Sequence, residues 1–198
     1  NPVLREGNSD RRAPKAIKNY ARKNPHSMGA WSSNSKTHVA TMSEGDFAHN
    51  EKSVTIEKAT NINIKHIAHD GTKTTLKGNL PLIDGEIIDA TVLNKKSLLA
   101  FLDKEFTDAA ENDVLLSLHM KATMMKVSDP IIFGHAVRTY FKELFEKHKA
   151  TFDKIGFDAN NGFGNLISSL DEVTAEKKAE ILKDIDTAFE KNADLAMV

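Results

Sequence analysis

The order of hydrophobic and polar residues predicts a short helix at the start of the chain, followed by a long loop. From Pro14 to Ala21, apolar residues recur at helical spacing among lysines and arginines, so a basic helix is expected to end before Pro25. Residues 26–50 are rich in Ser, Asn, Gly and His and are predicted to form a loop. A short strand is expected within it, at residues 38–42.

Residues 53–92 carry the alternation of apolar and polar side chains that is typical of strands with one face in water. Asp70 and Gly71 interrupt this run and predict a hairpin. The pair favours a type I′ turn, which needs a positive φ at both central residues. One more strand is expected after Gly85.

The pattern then changes to helical spacing. Residues 95–110 predict a helix with one apolar stripe, for which Asn94 or Ser97 is the N-cap. The continuous apolar run at residues 114–118 has the length of a strand and predicts a buried central strand.

Two more helices are predicted in the last third of the chain. One begins at Pro130 with Asp129 as its N-cap, and the other begins at about Thr174. Their expected inward residues are Phe133, Val137, Tyr140, Phe141, Leu144 and Phe145 in the first, and Ile181, Leu182, Ile185 and Phe189 in the second. Because strands cluster before helices, the predicted class is α/β, with α+β as the alternative, and the predicted architecture is a mixed β-sheet with flanking helices.

Composition excludes several classes of protein. The 198 residues include 27 Lys+Arg and 28 Asp+Glu, a formal net charge of -1, which argues against a domain that coats nucleic acid. The absence of cysteine excludes disulfide scaffolds, thiolate zinc sites and cysteine nucleophiles. The sequence starts without Met and stops on an apolar run, so we expect it to be a piece of a longer polypeptide.

Three arginines within residues 5–12 form the first candidate site. Arginine presents a planar set of donors that matches carboxylate or phosphate oxygens in pairs, and Gly7 allows the backbone to approach a ligand closely. The segment therefore fits an anionic small molecule. The alternative is a solvated loop in which Glu6 and Asp10 pair with the arginines.

Residues 121–130 form the second candidate site, because they follow the predicted strand 114–118 and ligands meet α/β sheets at the carboxyl ends of strands. A partly desolvated Lys121 has a lowered pKa that suits proton transfer. The alternative is a lysine whose ammonium group stays in water. His119 is a weaker candidate for the same site.

Other signatures of chemistry are absent from the sequence. His66 and His69 are three residues apart, which on a strand places them on opposite faces and argues against a metal site. The sequence contains no dinucleotide-binding glycine fingerprint, Walker loop, Gly-x-Ser-x-Gly elbow or His-Glu-x-x-His pair.

Several long, irregular segments resemble the monomeric-type NADP-dependent isocitrate dehydrogenases. They are NPVLREGNSDRRAP at residues 1–14, KNYA at 18–21, MGAWS at 28–32, SKTHVA at 35–40, GEIID at 85–89, KATMMKVSDP at 121–130, IGFD at 155–158, NNG at 160–162 and LAMV at 195–198. The resemblance spans the whole chain.

The resemblance implies an enzyme of the tricarboxylic acid cycle and glyoxylate bypass, a bacterial, cytoplasmic and monomeric oxidoreductase. It would convert isocitrate to 2-oxoglutarate and CO2 with NADP and with Mg2+ or Mn2+. By resemblance, Asn1, Arg5 and Arg11 bind the isocitrate carboxylates, Ser9 is a weaker substrate-binding candidate, and Lys121 is the catalytic lysine.

The resemblance also implies a part-domain like that of isocitrate and isopropylmalate dehydrogenases. Residues 1–13 would belong to, or link from, a preceding domain, and residues 14–198 to the substrate-side α/β domain. The metal-binding aspartates, the catalytic tyrosine and the main NADP contacts of the family fall outside the matched segments, so the chain alone is expected to be inactive. The alternatives are a non-enzymatic anion-binding or interdomain module, and a related 2-hydroxy-acid dehydrogenase.

Overall fold

The computed structural model describes residues 14–25, 27, 29–121 and 123–197. The chain divides into two units, Asn1–Lys36 and Thr37–Val198. In the first unit, the predicted basic helix is confirmed as α1 (Lys15–Lys23), which begins directly after Pro14. It ends where Asn24 donates its backbone N–H to the carbonyl of Tyr20 at 2.9 Å.

The strand predicted at residues 38–42 is wrong. Residues 38–42 do not form a strand in the structure, and Val39 is 88% exposed. The second unit instead begins its regular structure with the short helix α2 (Phe47–Asn50), which Asp46 caps by accepting the N–H of His49.

The predicted strands between residues 53 and 92 are confirmed as two antiparallel pairs. The first joins β1 (Lys52–Thr55) to β4 (Ile87–Ala90), and the second joins β2 (Thr60–Ile67) to β3 (Lys73–Leu82). The register of the β2–β3 pairing shifts on both sides of Ile64, which marks a bulge or irregularity in this hairpin.

The hairpin at Asp70 and Gly71 is confirmed, but the predicted turn type is wrong. Only Gly71 has a positive φ, of 85°. Gly71 donates its N–H to the carbonyl of Ala68 at 2.9 Å, and the carboxylate of Asp70 accepts the N–H of Thr72 at 2.9 Å. This is a turn followed by one left-handed glycine, which the Asp70 side chain stabilises.

A layer of helices holds the core of the second unit. The helices are α3 (Lys95–Asn112), α4 (Ser128–Tyr140), α5 (Lys142–Lys147), α6 (Lys149–Lys154), α7 (Phe163–Ser169) and α8 (Ala175–Lys191), with short 3-10 turns at Ala159–Asn161 and Leu170–Glu172. The predicted cap at Asn94 is confirmed, because its side chain accepts the N–H groups of Lys96 and Ser97. The last helix begins where predicted, and Thr174 caps it by accepting the N–H of Lys177. Phe189, expected inward, is half exposed, although its ring lies 5.3 Å from that of Phe141.

The buried central strand predicted at residues 114–118 is wrong in length and burial. The strand β5 covers only Leu116–Leu118 and pairs in parallel with β6 (Leu195–Met197), while Leu115 is exposed. Residues 113 and 114 instead form the C-terminal cap of α3. Asp113 adopts a left-handed φ of 52°, and Val114 donates its N–H to the carbonyl of Ala109.

The predicted combination of helices and strands is confirmed. Among the described residues the strands form three two-stranded sheets, two of them antiparallel and one parallel. No helix in this described part of the chain is both long enough and apolar enough to cross a membrane.

Candidate functional site

The predicted substrate-binding residues Asn1, Arg5, Ser9 and Arg11 lie outside the described residues. Their role remains a prediction from the sequence. The candidate site that the structure describes is therefore the one around Lys121.

Lys121 lies just beyond the parallel strand pair. Leu118, the last residue of β5, pairs with Met197, the last residue of β6, so both strands end at the same edge. Lys121 follows three positions after Leu118. The carboxyl ends of parallel strands are where α/β proteins place ligand-contacting residues, which agrees with the predicted position of this lysine.

The carbonyl of Lys121 is a hydrogen-bond acceptor for residues that follow it closely in the chain. It accepts hydrogen bonds from the N–H groups of Met124 and Met125, both at 2.9 Å. The side chains of Met124, Met125 and Val127 are exposed. Hydrogen bonds, rather than buried side chains, therefore define the path of this segment.

Asp129 lies at the other end of this segment. Its predicted role as N-cap of α4 is wrong. The helix begins one residue earlier, at Ser128, so Asp129 lies inside the first turn. Its carboxylate instead accepts the backbone N–H of Lys121 at 2.7 Å and the hydroxyl of Ser128 at 3.0 Å. A backbone donor eight residues earlier in the chain has replaced the helix N–H groups as its partner.

The Lys121 side chain is exposed in this chain. The partial desolvation expected from the sequence is not provided by the described residues. His119 is also exposed, and its Nε2 lies 2.6 Å from the hydroxyl of Ser117, the middle residue of β5.

A second group of titratable side chains lies between α5 and α8. Nε2 of the buried His148 is 2.6 Å from a carboxylate oxygen of Asp184, and Lys147 Nζ is 2.7 Å from Asp184 and 3.2 Å from Glu180. The hydrogen bond from Lys147, followed by that from His148, lowers the pKa of Asp184. The hydrogen bond to Asp184 raises the pKa of Lys147.

Comparison with known proteins decides the family. A sequence model described as monomeric isocitrate dehydrogenase matches residues 1–198. The chain belongs to this family. The predicted resemblance is thereby confirmed over the full length of the chain.

Curated relatives of the monomeric isocitrate dehydrogenase family agree with this assignment. The chain is 56% identical over 198 residues to isocitrate dehydrogenase (NADP) 2 of Colwellia maris. It is 50% identical to isocitrate dehydrogenase (NADP) 2 of Mycobacterium tuberculosis and 50% identical to isocitrate dehydrogenase (NADP) of Azotobacter vinelandii. Each match covers 100% of this chain but only 27% of the relative. The chain thus spans about a quarter of the length of these relatives.

Two clusters of histidine and carboxylate groups were tested as sites for the divalent cation that the family implies. The first consists of His148, Glu180 and Asp184. Lys147 already pairs with both of its carboxylates, so a cation would have to displace an ammonium group. The second consists of His38, Glu105 and Asp108; its Glu105 pairs with Lys104 at 3.1 Å and its Asp108 accepts from Asn112 at 3.1 Å. The carboxylates of both clusters already have partners within the protein, and we assign no metal chemistry to them.

Sequence reasoning predicted Lys121 as a site residue but missed the hydrogen bond from its backbone N–H to Asp129. The helix-start pattern of Ser, Asp and Pro favoured a cap, and nothing in local propensity indicates a carboxylate that accepts from a residue eight positions earlier.

Proposed function

We propose that the chain is a section of an NADP-dependent isocitrate dehydrogenase that oxidatively decarboxylates isocitrate to 2-oxoglutarate and CO2. The family match over residues 1–198, together with the names of the relatives at 50–56% identity, carries this proposal. Because the chain spans 27% of those relatives, it would supply part of the active site.

The substrate contacts would come from the beginning of the chain. Isocitrate carries three carboxylates, and Arg5 and Arg11 offer paired donors of the kind that bind carboxylate oxygens two at a time. Asn1 and Ser9 would add neutral hydrogen bonds. Such a set favours a polycarboxylate over a monocarboxylate.

Lys121 would transfer protons. Oxidation of the C2 hydroxyl releases a proton, and loss of CO2 leaves an enolate that must be protonated, so one lysine near C2 and C3 serves both steps. When bound, NADP would accept the hydride and Mg2+ or Mn2+ would polarise the substrate oxygens, with both held by residues outside this chain. The exposure of Lys121 leaves it accessible to a substrate held against it.

The remainder of the parent polypeptide would be the main partner of this chain, with residues 1–13 linking from a preceding domain and residues 14–198 forming part of the substrate-side domain. The strand pairs support this proposal, since Val54, Ile67, Leu76 and Ile87 are each about 60% exposed or more. Isolated two-stranded sheets are only marginally stable in water, so a covering surface is expected. A monomeric parent and a cytoplasmic location stay predictions.

The test is NADPH formation by the parent protein with isocitrate and Mn2+, compared with other 2-hydroxy acids. We expect isocitrate to be preferred. Arg5→Gln and Arg11→Gln should each raise the KM for isocitrate by about tenfold or more, since a charge-assisted hydrogen bond contributes roughly 1.5–3 kcal/mol. The isolated chain should form no NADPH. A parent that prefers another 2-hydroxy acid would overturn the substrate assignment, and a parent inactive with all of them would favour a non-enzymatic module.

A further inference from the structure

We propose that Asp129 is a positioning residue for Lys121, holding the lysine backbone so that its ammonium group reaches the reacting atoms. The proposal rests on the proposed function, because it assigns a role within the same site. Nothing in the resemblance or in the relatives' names gives Asp129 a role.

The segment between the two residues has little else to hold it. The described side chains from Thr123 to Val127 are exposed, so burial contributes little to its conformation. Three backbone hydrogen bonds fix Lys121: two accepted by its carbonyl from Met124 and Met125, and one donated by its N–H to Asp129. The first two lie within the segment. Of these three bonds, only the one to Asp129 fastens Lys121 to a regular element of the fold.

That element is rigidly placed. Helix α4 carries Ala136 and Val137, both 0% exposed, and Tyr140, whose hydroxyl donates to the carbonyl of Ala193 at 2.7 Å. Its Gly134 packs so closely that an added Cβ would lie 1.9 Å from the side-chain oxygen of Asn160. Asp129 therefore connects Lys121 to a helix that the core holds in place.

The carboxylate itself is held at both oxygens. Oδ2 accepts from Lys121 at 2.7 Å and Oδ1 accepts from Ser128 at 3.0 Å, while the backbone N–H of Asp129 donates to the carbonyl of Met125 at 3.1 Å. This arrangement fixes the side chain as well as the helix turn. Because displacements of about 1 Å can cost roughly a hundredfold in rate, a small shift of Lys121 would be felt in catalysis.

Two substitutions in the parent protein separate positioning from charge. Asp129→Asn removes the charge but keeps an oxygen at the same place, and its amide can donate to the hydroxyl of Ser128. Asp129→Glu keeps the charge but moves the oxygens by one methylene. We expect Asp129→Asn to retain kcat within about threefold, and Asp129→Glu to lose about ten- to a hundredfold in kcat with the KM for isocitrate nearly unchanged.

The matched controls are Asp70→Asn and Asp70→Glu, because Asp70 also accepts a backbone N–H, that of Thr72, in the turn between β2 and β3. Both should keep the kcat of the parent. The melting temperature of every variant shows whether it is folded.

Three outcomes would overturn the proposal. If Asp129→Glu is as active as the parent, position does not matter. If Asp129→Asn is the impaired variant, the charge is what matters. If both lose activity only in proportion to lost folded protein, the role is structural. The proposed function fails separately, and only if the unsubstituted parent does not oxidise isocitrate.

Discussion

The helical layer and the two antiparallel strand pairs of the second unit bury their side chains very differently. Helix α3 alone contributes four buried residues, and Leu166, Leu170 and Ile181 of the helical layer are 0% exposed. In contrast, every residue of β1 is exposed, and β2 and β3 together bury only Leu82. The apolar alternation of the strands therefore has no covering layer within the described chain.

This difference shows which part of the unit is self-sufficient. The helices bury one another's apolar side chains, with ring contacts such as the stacked pair of Phe141 and Phe163, whose centroids are 4.5 Å apart. The strands of each pair hydrogen-bond to one another but leave apolar side chains in water. We infer that the helical layer provides the stability of the isolated chain, whereas the strand pairs gain theirs from the rest of the parent protein.

The largest effect is expected from Phe141→Ala, which would break the helical layer. Phe141 is 1% exposed and contacts the rings of Tyr140, Phe163 and Phe189. Its truncation should lower the free energy of unfolding by about 3–5 kcal/mol, measured by urea denaturation of the isolated chain. The control Val54→Ala, on the exposed strand β1, should change it by less than about 0.5 kcal/mol. Equal losses would remove the distinction between the two regions.

A smaller loss is expected from Asp184→Ala, because this substitution leaves the buried His148 without its partner. The free energy of unfolding should fall by about 1–3 kcal/mol in the same measurement. Asp171 forms an exposed ion pair with Lys178, so Asp171→Ala is the matched control and should cost at most about 1 kcal/mol. Similar costs for the two substitutions would contradict a structural role for the buried pair.

The lowered pKa of Asp184 predicts that the free energy of unfolding depends on pH in the acid range. The pKa of Asp184 is lowered in the folded state by its hydrogen bonds, first to Lys147 and then to His148. Its stabilisation is therefore complete above the usual aspartate value of 3.8 and is lost as pH falls through the lower folded value. Unfolding followed from pH 5 downward should show a shallower loss of stability in Asp184→Ala than in the unsubstituted chain. Parallel curves would show that Asp184 does not contribute.

The smallest effect in the isolated chain, but not in the parent, is expected from Leu76→Ala. Leu76 lies on β3 and is 66% exposed. The substitution should cost less than about 0.5 kcal/mol in the isolated chain and about 1–2 kcal/mol in the parent, where a covering surface would bury the side chain. Equal costs in both would mean that the strand pairs have no partner in the parent.

The sequence predicted where the long helices begin better than how far they extend, since the helix expected from Pro130 through Phe145 divides at Phe141 into α4 and α5. Asn94 and Thr174 mark helix starts because their side chains accept N–H groups of the adjacent turn, and such caps are local signals.

The strand prediction was wrong because burial was inferred from a continuous apolar run. The first residue of that run, Val114, instead hydrogen-bonds to Ala109 after the left-handed Asp113 that ends α3. Whether an apolar strand is covered depends on distant parts of the chain, which local patterning does not encode.

The candidate site was predictable only in part, for a similar reason. A resemblance over an irregular segment located Lys121, but its exposure and its tie to Asp129 depend on how residues 121–129 close on themselves. The conformation of such a turn depends on several backbone hydrogen bonds at once, and no single residue type determines it.

Proton transfer by Lys121 is tested most directly by measuring the kcat of the parent protein after this lysine is replaced. Lys121→Met should lower kcat for NADPH formation from isocitrate by about 10²–10⁴-fold, the usual contribution of a general acid or base. Lys126→Met, which removes an exposed lysine from the same segment, should leave kcat within about threefold. If Lys121→Met retains the kcat of the parent while Lys126→Met loses it, the catalytic assignment is wrong.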